Sequence, residues 1–125
     1  MIVGILTPDS GAIAFEDRDN RPQSQLPVLL KEISGLGFHW LRVLYLMPEE
    51  ITPEILESFA GPSTLPYFDL PFQHVSARIL NEMQRGGNFK KNIQLVQKIR
   101  YMFAKAVLRS TFIVGFSGEE EDDFK

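Results

Sequence analysis

The stretch LPYFDLPFQHVSARIL, residues 65–80, decides how this chain is read. Leu65 to Leu70 form a near-continuous apolar run of strand length, as expected for a strand buried on both faces of a parallel sheet. Pro71-Phe72-Gln73-His74 interrupt the run. Ser76 then stands where a helix N-cap belongs, ahead of Ile79, Leu80 and Met83 at helical spacing. A strand, a turn and a helix in that order make one βα unit.

The same rhythm extends in both directions. Ile2–Leu6, Trp40–Leu46 and Val107–Val114 are further apolar runs of strand length. Leu26, Leu29, Leu30, Ile33 and Leu36 recur at helical spacing, with Gly37 placed as the C-terminal stop. Thr52 and Pro53 suit an N-cap and first helical residue ahead of Ile55, Leu56 and Phe59. The helix opened by Ser76 ends at Gly86-Gly87, and Phe89, Ile93, Val96, Ile99 and Phe103 mark another. The order β-α-β-α-β-α-α-β predicts an α/β fold of parallel βα units with about four strands. It fits part of a barrel or a small open sheet. Polar residues from Thr7 to Gln25 follow the first strand, on the side where such folds carry their active-site loops.

The C-terminal stretch STFIVGFSGEEEDDFK, residues 110–125, reads as a strand, a glycine turn and the opening of a helix. Ser117 and Glu120 match a capping box, and Glu119 to Asp123 crowd the positive end of a helix dipole. These signals predict a helix continuing past Lys125, which favours an excised part of a barrel over an open sheet.

Composition narrows the function. The 125 residues suffice for one domain with a real core, and 44% hydrophobic with 23% charged residues is ordinary globular usage. A net charge of −3 without any basic run gives no expectation of direct nucleic-acid binding. No apolar run is long enough for a membrane helix, so no membrane partner is expected. The absence of cysteine excludes disulfides, thiolate catalysis and sulfur-ligated clusters within this chain, and fits a reducing cytosol.

Candidate chemistry collects at strand ends. No Ser/Cys–His triad can be built with His39 and His74 alone. His39, ahead of a strand, reads as a loop or packing residue. His74, at the end of a strand, reads equally as a functional group or as a satisfied turn histidine. GFSGEE lacks the Lys-Ser/Thr pair of a phosphate-binding loop, though its glycines would let a flat ring approach the backbone. Glu49 and Glu50 read as a loop leading into the Thr52–Pro53 helix. Arg109, inside an apolar strand, needs an anionic partner: either a structural ion pair or a ligand carboxylate.

Taken together, WLRVLYLMPEEIT (40–52), LPYFDLPFQHVSARILNEMQRGG (65–87) and VLRSTFIVGFSGEEEDDF (107–124) resemble the methylthiotransferases of the radical S-adenosylmethionine superfamily. LRVLYLMPEEIT is similar to the branch that modifies an aspartate of a small-subunit ribosomal protein. The resemblance implies a partial (βα)6 TIM-like barrel, of which this chain, as a single fragment over residues 1–125, covers the second through fifth units. It also implies that the 4Fe–4S cluster belongs to the parent enzyme, whose first unit carries the cysteines, and that this chain alone is inactive. The family further implies a cytoplasmic protein with a ribosomal small-subunit protein as substrate.

By the same resemblance, Asp9, Ser10, Gln73, His74, Arg78, Arg109, Ser110, Thr111, Val114 and Gly115 would face S-adenosylmethionine. The cofactor offers a carboxylate for an arginine, an adenine for a strand edge and hydroxyls for Gln, Asp or Ser. Pro8-Asp9-Ser10 replace the family's usual Gln-Asp-Thr, and Ile13-Ala14 replace a Tyr-Gly pair, which implies weak or absent cofactor binding by this chain alone. Two further functions compete: a cluster-free module binding a nucleoside or a protein, and a fragment of the transfer RNA branch. The open sheet edges of a partial barrel also imply self-association.

Overall fold

A computed structural model describes residues 24–124. The expected strand Ile2–Leu6 and the site residues Asp9 and Ser10 lie outside the described residues. The elements run α1 (Leu26–Ser34), α2 (Pro53–Ser58), β1 (Tyr67–Asp69), α3 (Ala77–Glu82), α4 (Phe89–Met102) and β2 (Val107–Arg109). Short 3-10 turns occupy Pro48–Glu50 and Glu121–Phe124.

Local signals explain the helix ends. The Thr52 hydroxyl accepts from the Ile55 N–H and Ser76 from Ile79, each satisfying a first-turn donor. Asn88 caps α4 in the same way through the Lys91 N–H. Gly37, at φ 76°, adopts the left-handed conformation after α1 that glycine supplies without strain.

The fold is α/β, and β1 and β2 pair in parallel with Tyr67, Phe68 and Asp69 opposite Val107, Leu108 and Arg109. These two are the named strands among the described residues, where the sequence predicts three of its four. The Trp40–Leu46 run lies beside β1 without forming a continuous ladder. It bonds at Leu41, which bridges Thr64, and again where the Leu46 N–H donates to the Asp69 carbonyl at 2.8 Å. Tyr45 explains the break. At φ 57° it turns the chain so that two successive amides reach the same residue: its own N–H meets Asp69 Oδ2 at 3.3 Å. The Val107–Val114 run likewise closes as a strand at Arg109, and its backbone pairs again at the isolated Gln73–Phe112 bridge.

Among the described residues, helices cover one face of the sheet and leave the other open. Side chains alternate along a strand, so Phe68 and Leu108 share one face while Tyr67, Asp69, Val107 and Arg109 share the opposite one. Phe68 is fully buried, its ring 4.6 Å from Phe59 and 5.5 Å from Phe103. Leu30, Ile55, Leu56, Leu70 and Ile99 complete this core from the helices and strand ends. On the open face Val107 and Arg109 are exposed, and the Arg42 guanidinium lies 3.6 Å from the Tyr67 ring centroid.

Candidate functional site

The open face carries a charged pair that alternation alone places side by side. Asp69 is 1% exposed although it is an aspartate inside a strand. Its Oδ2 accepts from the Tyr45 N–H and, at 3.1 Å, from Arg109 Nη1. Its Oδ1 is buried with no hydrogen-bond partner among the described residues. The Arg109 side chain is 52% exposed, so one end of this pair is dry and the other wet. The pair thus meets the structural half of what the sequence demanded of Arg109. Beside it, the Ser110 hydroxyl donates to the Leu70 carbonyl at 2.7 Å and accepts from the Phe72 N–H.

The strand-end turn forms a second cluster. Gln73, at φ 67°, donates its N–H to the Thr111 carbonyl and accepts from the Ile113 N–H at 2.7 Å. This brings the Gln73 backbone against that of Thr111 and leaves Thr111 and Val114 exposed. His74 is buried, and its Nδ1 accepts from the Ser76 N–H at 2.9 Å. An accepting Nδ1 leaves the ring proton of the neutral form on Nε2, which lies 3.6 Å from Glu119 Oε1. Both ring nitrogens of His74 therefore face protein groups.

Glu119 organises the glycine turn in place of the expected Ser117–Glu120 capping box. Its Oε2 accepts from the Gly115 and Phe116 N–H groups at 2.7 and 2.9 Å. Those bonds, led by the one from Phe116, hold its carboxyl below the ordinary value against a desolvation cost. The difference has a physical reason: Glu119 reaches back over the exposed turn amides, and the acidic run continues as the 3-10 turn Glu121–Phe124.

Asp123 ties that turn to α3. Its Oδ1 accepts from the Ser76 hydroxyl at 2.7 Å, and its Oδ2 takes the Glu120 N–H and Arg78 Nη2. The Ser76 bond leads these in lowering its carboxyl to about 2. Arg78 donates further to Glu82 Oε1 and to the Gly118 carbonyl, each at 2.9 Å. Gly118, at φ 82°, makes room for this: a Cβ there would sit 3.1 Å from Glu82 Oε2.

The structure thus brings Gln73, Ser110 and Thr111 together beside the Asp69–Arg109 pair. It groups His74, Arg78 and Gly115 with the acidic turn instead. His39 is exposed, its ring 5.6 Å from Trp40. Asp69 is the residue that reading the sequence missed; its signal was a carboxylate interrupting an apolar strand. Among the described residues no group of three or more His, Asp or Glu could hold a metal ion. No helix among them is long and apolar enough to cross a membrane.

No family model matches the chain. Curated relatives do. The ribosomal protein uS12 methylthiotransferase RimO of Thermosipho africanus is 44% identical over 104 residues, 82% of this chain. That of Aquifex aeolicus is 48% identical over 115 residues, and that of Chlamydia pneumoniae 37% over 118. The chain is homologous to a segment of the ribosomal protein uS12 methylthiotransferases. It spans about a quarter of the length of these relatives, 24% to 26%. The resemblance of the three motifs is therefore matched by identity over 82% to 94% of the chain.

Proposed function

We propose that this chain is the cofactor-facing middle of a methylthiotransferase that modifies an aspartate of ribosomal protein uS12, on part of a (βα)6 barrel. The observation that carries the reading is identity of 37–48% to relatives of that name. Three features of the fold support the barrel. The 41–46 segment, β1 and β2 neighbour one another in chain order, the pairing is parallel, and the described helices pack on one face.

The residues present fit S-adenosylmethionine in part. Arg109 uses Nη1 on Asp69, and its exposed remainder suits the cofactor's carboxylate. Gln73, at the strand end, suits a ribose hydroxyl, and the exposed backbone at Val114 suits the adenine edge. Gly115 has its N–H bound by Glu119, so it serves through its lack of a side chain. Arg78 holds the acidic turn, and His74 and Ser76 anchor it; these shape the wall from behind. When bound, S-adenosylmethionine supplies the radical and methyl chemistry of the family. A 4Fe–4S cluster does not fit these residues, which include no cysteine. A ribosomal substrate goes with a cytoplasmic location.

The test is performed on the protein carrying this sequence. The reduced full-length protein, incubated with S-adenosylmethionine, a sulfide source and uS12, should replace one aspartate C–H hydrogen by a methylthio group, read by peptide mass spectrometry. Arg109→Met and Gln73→Ala should weaken cofactor binding in calorimetry. Binding without any modification of uS12 would favour the cluster-free module. Modified transfer RNA in place of uS12 would move the chain to the other branch. A folded protein that binds no S-adenosylmethionine would overturn the cofactor wall. Exposed Phe112, Ile113 and Val114 support self-association, for which sedimentation velocity over a concentration series is the check.

A further inference from the structure

We infer that Asp69 is a positioning residue for Arg109, fixing the guanidinium so that its remaining donors meet a ligand carboxylate. The ligand named here rests on the cofactor reading above; the positioning itself rests on geometry.

Two chain segments, 41–46 and β2, converge on Asp69 through three residues. The Leu46 N–H takes its carbonyl at 2.8 Å, the Tyr45 N–H takes Oδ2, and Arg109 is its direct partner in the ladder. The neighbouring Leu70 N–H donates to the Arg109 carbonyl at 2.8 Å, which fixes the arginine's backbone as well. A carboxylate that is 1% exposed, with no partner for Oδ1 among the described residues, strongly favours a cation close by. Asp69 therefore cannot leave its burial site cheaply, and Arg109 is held by it.

The arginine itself behaves in the opposite way. Its side chain is 52% exposed, and Nη1 alone has a partner among the described residues. Nε and Nη2 remain available as a fork of two donors. A guanidinium pinned at one nitrogen loses less freedom on meeting a carboxylate than one swinging on a free stem. The aspartate thus prepays the ordering that the ligand would otherwise cost.

The experiment compares S-adenosylmethionine with its decarboxylated analogue by calorimetry, in wild type, Arg109→Met and Asp69→Asn. Wild type should prefer the carboxylate-bearing form by about tenfold or more, the worth of one charge-assisted contact. Arg109→Met should abolish the preference. Asp69→Asn keeps the shape and an acceptor for Tyr45 but loses the charge, and should cut the preference to about threefold or less while leaving the analogue's affinity unchanged. Full preference in Asp69→Asn would overturn the positioning and leave the cofactor reading standing. A wild type that binds both compounds equally would overturn the carboxylate as the ligand group. A folded wild type that binds neither would overturn the cofactor reading together with this ligand. Nitrogen-15 NMR of the Arg109 guanidinium in wild type gives a second readout that needs no variant to fold. Hindered rotation about Cζ–Nη1 is expected, and free rotation would overturn the positioning whatever binds.

Discussion

β1 and β2 have the same length and face each other residue for residue, yet one is interior and the other is surface. Tyr67, Phe68 and Asp69 are half-buried, buried and buried; Val107, Leu108 and Arg109 are exposed, half-buried and exposed. Val107 and Leu108 are no less apolar than Tyr67 and Phe68. The difference lies in their neighbours. β1 is flanked by the 41–46 segment and by β2, whereas β2 has β1 on one side and no strand on the other among the described residues. Burial of a strand is conferred by what lies alongside it, and the strand's own composition only permits it.

The largest effect that would test this contrast is Phe68→Ala. Removing a ring packed between Phe59 and Phe103 should cost about 3–5 kcal/mol in urea unfolding. A loss comparable to that of Leu108→Ala would break the comparison. Next comes Ser76→Ala, which removes both the α3 cap and the bond to Asp123; about 1–2 kcal/mol should be lost. Thr52→Ala removes the α2 cap and a bond to the exposed Glu54 carboxylate, and should lose less, about 1 kcal/mol.

Acid should then release the Gly115–Asp123 turn before the core. Asp123 titrates at about 2 and Glu119 is also depressed, so both carboxylates are more acidic folded than unfolded. Their stabilisation is complete above the ordinary carboxylate range. It is lost as pH falls through about 2 for Asp123. The Glu120 N–H donates to Asp123 and its signal should follow that titration, while the Phe116 N–H donates to Glu119 and its signal should move below the ordinary carboxylate range. Midpoints at the ordinary carboxylate value would show that the contacts do not form in solution. The smallest effect belongs to Val107→Thr on the exposed strand, within about 0.5 kcal/mol. A loss of core size there would mean that β2 is covered in solution.

What the sequence disclosed depended on range. Thr52 and Ser76 act on residues within a turn of themselves and do what their local pattern predicts, whereas α1 closes at Ser34 with Gly35 as its C-cap, two residues ahead of the expected stop at Gly37. The 14-residue α4 was equally legible from its apolar spacing. The strands were legible in place and not in extent, because Tyr45 and the exposed end of β2 shorten them for reasons that lie in other segments. The Ser117–Glu120 box failed because Glu119, one position away, found two exposed amides. At the site, residue types pointed to Gln73 and Arg109, while Asp69 needed a partner 40 residues distant. Parallel register supplies that pairing, and no local motif encodes it.

Tyr45 has a consequence for how this sequence can change. Two successive amides, those of Tyr45 and Leu46, both donate to Asp69, so the left-right alternation of the backbone skips one beat there. A single-residue insertion or deletion between Leu41 and Tyr45 would put every later residue of the segment out of phase with β1. It would be tolerated only with an opposite change before Pro48. The backbone at residue 45 is in effect a spelling check on the length of its own segment.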